Sequence, residues 1–147
     1  MNHLNRPARQ SARQRIVALA AMLGLVLLQA CSDPSPPADS VRDVSALDAA
    51  TAVREGVTVI DVRTDQEWAE GHLQAALHMP MATLEQSLAA SGLDRSEPVL
   101  LHCKSGGRAT RASRQFAEAG FTDIRVLKPG GFAELAAAGL PTTAPTE

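Results

Sequence analysis

The sequence predicts an α/β fold with a mostly parallel central sheet and helices on both faces. Three short runs rich in β-branched residues or leucine, residues 57–60, 99–102 and 123–127, have the composition of buried strands. Segments with helical start and stop signals alternate with them, and that alternation is the second observation. In chain order, residues 45–55 form the first expected helix, with Leu47, Ala50 and Val53 on its apolar side. The strand 57–60 follows. Thr64 with Glu67 three positions on makes a capping box, and Gly71 stands where that helix should stop. Thr83 with Gln86 repeats the pattern ahead of Gly92. The strand 99–102 leads into a helix over 108–119, rich in Ala, Arg and Gln, with Phe116 on one face and Gly120 behind it. After the strand 123–127, a helix over 132–138 closes the domain before Gly139 and Pro141.

Composition narrows the function classes. The 147 residues suit one domain, and an apolar share of 45% is too high for a disordered tail. Two Cys supply neither a disulfide framework nor a Cys₄ zinc site, and the four His show no ligand spacing, so no metal and no cofactor are expected. A formal net charge of −2 argues against a nucleic-acid partner. That average conceals an asymmetry. Arg6, Arg9, Arg13 and Arg15 are the only charged residues before position 31, so the rest of the chain holds ten basic against 16 acidic residues, net −6.

Residues 1–30 read as a targeting segment. The apolar run 16–28 would be ~20 Å long as a helix, short of the ~30 Å hydrocarbon core but suited to the apolar stretch of a secretory signal peptide. Leu28-Gln29-Ala30-Cys31 resembles a bacterial lipobox, with Gln29 where a small or apolar residue is usual. That resemblance implies a lipid on Cys31 and a periplasmic domain anchored to a bacterial membrane. Ser32 behind it favours the outer membrane, and ordinary cleavage or an uncleaved anchor are the alternatives. Each buried acyl CH₂ contributes ~0.8 kcal/mol, so two or three chains hold a protein on a membrane. Residues 31–40, rich in Pro, Ser and Asp, read as a flexible tether, 41–141 as the working domain and 142–147 as a disordered tail.

The strand 99–102 runs directly into Cys103-Lys104-Ser105-Gly106-Gly107-Arg108, and a helix follows. A thiol between a buried strand and a helix start faces unpaired N–H groups and the positive end of the helix dipole, which favours the thiolate. Gly106 and Gly107 are expected to take positive φ, so that successive amides turn inward as an anion nest. Lys104 and Arg108 add positive charge. The competing use is a cysteine serving as a small buried hydrophobe at a strand end; the cations and the following helix weigh against it. In a cysteine-phosphatase loop five residues separate Cys from Arg, and the matching position here is Ala109. The shorter loop suits a single added sulfur.

At this point the chain resembles the rhodanese-like sulfurtransferases. Ile60-Asp61-Val62-Arg63, then Glu67-Trp68 and Gly71-His72-Leu73-Gln74-Ala75-Ala76, are similar to that family's amino-terminal signature. Residues 103–108 are similar to its active loop, and Pro129-Gly130-Gly131-Phe132 to its Gly-Gly-aromatic turn. Ala75 replaces a usual Gly, Lys104 stands where Arg is frequent, and Ala109 replaces a frequent Ser. The resemblance implies a rhodanese-like fold and transfer of a sulfane sulfur from a small anionic donor such as thiosulfate, through a Cys103 persulfide, to cyanide or a thiol. It makes Cys103 the catalytic residue, Lys104, Ser105, Gly106, Gly107 and Arg108 the substrate-binding loop, and Asp61 and Arg63 supporting residues. A non-catalytic rhodanese-like module that binds a partner or carries sulfur is the alternative, and the intact Cys103 loop favours the enzyme. A monomer is expected.

The neighbouring residues have plainer uses beside these. Asp61 and Arg63 lie at a strand end on the same sheet edge as Cys103, where a structural salt bridge with helix residues competes with a role at the site. His72 reads as a structural hydrogen-bonding residue, Trp68 as core, and Arg111 and Arg114 as solvated charge. His102 adjoins Cys103, yet strand alternation sends the two side chains to opposite faces, against a Cys–His pair. With Cys31 lipidated, Cys103 is the one expected free thiol.

Overall fold

A computed structural model of the chain describes residues 39–143. The leader, Cys31, the tether up to residue 38 and residues 144–147 lie outside the described residues. Within them β1 (Val41–Val44), α1 (Ala46–Arg54), β2 (Thr58–Asp61), α2 (Asp65–Ala69), β3 (Ala76–His78), α3 (Leu84–Ala90), β4 (Val99–His102), α4 (Gly107–Glu118), β5 (Ile124–Leu127) and α5 (Phe132–Ala137) follow one another. The strands form one sheet in the order β1-β5-β4-β2-β3, with every pairing parallel.

Side-chain alternation along the inner strands divides the core into two layers. On one face Ile60, Leu101 and Val126 pack with Leu84 and Leu88 of α3 and with Ala109, Ala112 and Phe116 of α4. On the other, Val59, Leu100 and Leu127 pack with Ala49 and Ala50 of α1 and Leu135 of α5. β4 is buried along its whole length, which is why Val99, Leu100 and Leu101 form an apolar run ahead of His102. Because the strands are parallel, their carboxyl ends share one edge, where Asp61 is level with His102, one residue before Cys103.

Several expectations are corrected at the margins of this frame. β1 and β3 were not expected: they are the two edge strands, short and mostly exposed or half-buried, so no apolar run marks them. Ser40, assigned to the tether, is buried and its carbonyl accepts from Ile124 N at 2.7 Å. Thr142 and Thr143, assigned to the tail, bond to the 72–74 segment: Thr143 N donates to His72 O at 2.8 Å and Gln74 Nε2 to Thr142 O at 3.1 Å. Leu47 is 71% exposed, because α1 turns Ala49, Ala50 and Ala52 to the sheet and small residues let it lie close.

The two capping boxes behave differently. Thr64 is extended (φ −71°, ψ 162°); its hydroxyl accepts from Glu67 N at 3.2 Å while Glu67 Oε2 accepts from Thr64 N at 3.1 Å. Thr83 has ψ 14°, so its hydroxyl does not swing over the first turn, and no side-chain cap forms. Among the described residues no helix is long and apolar enough to cross a membrane. Thr64→Ala is expected to cost about 1 kcal/mol in urea unfolding, and Thr83→Ala less than about 0.5 kcal/mol.

Candidate active site

Cys103 leaves the end of β4 with 1% of its surface exposed. Its Sγ accepts from the main-chain N–H of Gly106 at 3.2 Å. Burial pushes the thiol up, but the amides of Ala109, Ser105, Arg108 and Gly106 outweigh it, and the net result is a thiol held below its ordinary value. The convergence depends on Gly106, whose φ of +88° lies in the left-handed region that side chains disfavour. A Cβ there would also sit 3.2 Å from Leu127 O and from Lys128 Cγ. Gly107 does not take a positive φ, contrary to expectation, because it already opens α4 in helical geometry. A methyl group at Gly107 would meet nothing within 4 Å.

The 129–132 turn closes over the other side of the loop. Gly131 lies so near that any side chain would collide with the carbonyls of Cys103 and Lys104. Phe132 N donates to Cys103 O at 2.9 Å, and Gly131 N donates to Glu134 Oε2 at 2.7 Å. The Cys103 carbonyl is thus occupied on the turn side while the Gly106 amide faces the sulfur.

The charges at this edge are mostly spent on each other. Arg108 holds Glu67 through two parallel hydrogen bonds of 2.5 and 2.7 Å. The Arg108 hydrogen bond is the main cause that lowers Glu67 to about 2. The positive charge expected from Arg108 is therefore met by a carboxylate 41 positions earlier, which sequence spacing marked only as a helix cap. Asp61 and Arg63 pair with each other rather than with helix residues: Arg63 Nη2 lies 2.6 Å from Asp61 Oδ2, and Arg63 N donates to Asp61 Oδ1 at 2.9 Å. Arg63 also donates to Gly71 O at 2.8 Å, and its guanidinium lies 4.3 Å from the centre of the Phe132 ring. Lys104 and Ser105 are exposed, as are Arg111 and Arg114.

His102 stands on the Asp61 side of the sheet, its Nε2 3.8 Å from Asp61 Oδ2, and Cys103 belongs to the opposite core layer. Burial pushes its imidazole below the ordinary value against the pull of Asp61. It forms no hydrogen bond with the thiol. Trp68 is not core: it is half-buried between two imidazoles, His72 at 3.6 Å and His78 at 4.4 Å between ring centres. His72 Nδ1 lies 3.0 Å from both Trp68 O and Thr143 Oγ1. Beside the loop, Lys104, Arg63, Glu67, Glu70, Phe132 and their neighbours line a cleft of about 270 Å³. A larger hollow of about 590 Å³ between α3 and α4 includes none of residues 103–108. Among the described residues no group of three or more His, Cys, Asp or Glu is placed to hold a metal ion.

A buried cysteine met by four amides at a strand–helix junction can hold an anionic sulfur and a second sulfur attached to it. The family model of the rhodanese-like domain matches residues 43–138. The chain belongs to the rhodanese-like family. The chloroplastic thiosulfate sulfurtransferase 16 of Arabidopsis thaliana is 33% identical over 101 residues, covering 60% of this chain and 82% of that protein. A sulfurtransferase of Allochromatium vinosum is 31% identical over 103 residues, covering 70% of this chain and 94% of the relative. The crystal structure of the Alr3790 protein from Anabaena sp. aligns at 28% identity with a TM-score of 0.59, covering 69% of this chain and 91% of that one. These likenesses support a sulfurtransferase or sulfur-carrier role for this rhodanese-like domain.

Two outcomes follow from the geometry. Gly106→Ala should destabilise the fold by about 1–2 kcal/mol, from the left-handed φ alone, and raise the thiol's midpoint in an ultraviolet thiolate titration referenced to Cys103→Ser. Gly107→Ala should leave that midpoint in place and stabilise by about 0.4–1 kcal/mol. The lowered Glu67 value makes its ion pair with Arg108 fully stabilising above the ordinary carboxyl value of 4.5 and lost as pH falls toward about 2. The stability gap between wild type and Glu67→Gln in urea should therefore be level above that upper value and narrow steadily below it.

Proposed function

We propose that the domain transfers sulfane sulfur from a small anionic donor, of which thiosulfate is the simplest, to a thiophilic acceptor. The observation that carries this reading is the set of main-chain N–H groups aimed at the buried Cys103 sulfur. As a thiolate, Cys103 attacks the outer sulfur of thiosulfate. The donor's S–S bond breaks, sulfite leaves with the electron pair, and Cys103 carries a persulfide. An acceptor nucleophile then bonds to the outer sulfur and the Cys103 thiolate is regenerated. The amides of Ser105, Gly106, Arg108 and Ala109 act by stabilising negative charge on sulfur at each stage.

Arg108 contributes to this reading chiefly as a strut paired with Glu67, and its side chain also meets the Cys103 sulfur by hydrogen bond and charge. Attraction of the donor falls to the amides and to Lys104, a point charge rather than a bidentate fork. Asp61 and Arg63 hold the edge of the site by binding each other and the Gly71 carbonyl. The cationic leader and Leu28-Gln29-Ala30-Cys31 support a place in the bacterial envelope, with the domain lipid-anchored in the periplasm.

Purified protein should release thiocyanate from thiosulfate and cyanide, and Cys103→Ser should abolish that release. After thiosulfate alone, mass spectrometry should find wild type heavier by one sulfur atom and Cys103→Ser unchanged. Absence of both signals with several sulfur donors would sink the enzyme reading.

A further inference from the structure

Two opposite charges line the cleft beside the loop without a counter-charge of their own. Lys104 is exposed and takes part in no ion pair among the described residues. Glu70 is likewise unpaired in charge; its carboxylate meets only the Gln66 amide, at 3.4 Å. The remaining charges of the lining are spent, Glu67 on Arg108 at 2.5 Å and Arg63 on Asp61 at 2.6 Å. Gly71, Phe132 and Ala133 complete the lining without charge. The volume of about 270 Å³ lies at the small end for ligand sites, so the occupant is small. Lys104 directly follows Cys103 and lines the cleft, so the cleft borders the loop that carries the Cys103 sulfur.

We infer that this cleft selects a zwitterionic aminothiol of about the size of cysteine as acceptor of the Cys103 sulfur, with Glu70 facing its ammonium and Lys104 its carboxylate. The inference rests on the sulfurtransferase reading above and names its acceptor class. In the step, the acceptor's thiolate sulfur bonds to the outer sulfur of the Cys103 persulfide, and the bond from that sulfur to Sγ breaks. Its electron pair returns to Sγ as thiolate, and the transferred sulfur leaves on the acceptor with the persulfide proton. No oxidant or reductant is required. An exposed ion pair at the rim is weak, so each charge is expected to change the rate by roughly two- to fivefold.

The test follows the second half-reaction alone. The full chain is loaded with thiosulfate, freed of excess donor and mixed with cysteine, with N-acetylcysteine, which lacks the ammonium, or with cysteamine, which lacks the carboxylate. Each is supplied at equal thiolate concentration, and loss of the extra sulfur from Cys103 is followed by mass spectrometry. Cysteine should react roughly two- to fivefold faster than either analogue. Glu70→Gln should bring the cysteine to N-acetylcysteine ratio near one, and Lys104→Gln should do the same for the cysteine to cysteamine ratio. Ratios are read only in variants that load sulfur and melt like wild type. Glu70→Lys, expected to reverse the first preference, gives a second reading at that position. Equal rates for the three thiols in wild type, or ratios that these substitutions leave unchanged, overturn the inference while the persulfide stands. A Cys103 that accepts sulfur from no donor overturns the sulfurtransferase reading as well.

Discussion

The Gly106 N–H bonds the Cys103 sulfur and the amides of Ser105, Arg108 and Ala109 join it in lowering the thiol, and much of the domain is arranged to keep them there. A thiolate withdrawn from water loses several kcal/mol of solvation, whereas a hydrogen bond to a charged group returns roughly 1.5–3 kcal/mol, so one donor is not enough. Several are available only where a chain leaves a strand and begins a helix, since the first turn of a helix has amides without internal partners. The parallel sheet provides that junction at its carboxyl edge. Gly106 bends the chain so that the amides face inward, and the turn around Gly131 holds the outward-facing carbonyls.

The charged residues around the loop follow from the same requirement. A free guanidinium next to the sulfur would attract any anion, and a free carboxylate would repel one. Glu67 and Arg108 cancel at the mouth of the site, and Asp61 and Arg63 cancel beneath it. Glu67 does this while it also caps α2, so one carboxylate joins the start of α2 to the start of α4. Peptide groups act on the sulfur beside what remains of the Arg108 charge. Two buried or half-buried Arg–carboxylate pairs are not themselves a large source of stability; their part is to fix positions at the edge.

How much of this was legible in the sequence differs from element to element. β4 and the loop could be read because a doubly covered strand must be apolar throughout and a sharp exit must carry glycine. The covering of both faces followed from the alternation of strands with helical segments. β1 and β3 were not legible, since an edge strand is held by its neighbour's backbone and leaves little trace in its own side chains. Thr83 carries the right side chain for a cap but has the wrong ψ, and a four-residue pattern does not encode ψ. Trp68 read as core because its size suggests burial, yet two flat imidazoles meet its faces instead. Glu67 and Arg108 were each visible, one as a cap and one as a cation. Their union across 41 positions was not, because it depends on where α2 and α4 begin in space.

The exposure of Lys104 and Ser105 has a consequence for how such a domain can change. The Cys103 sulfur is served by the path of the main chain, which survives substitution at those two positions, so the setting of the thiol and the side chains beside it can vary separately. A lineage can exchange the side chain that greets an incoming molecule one codon at a time without rebuilding the machinery behind it. The loop is in that sense a fixed reader with replaceable lettering.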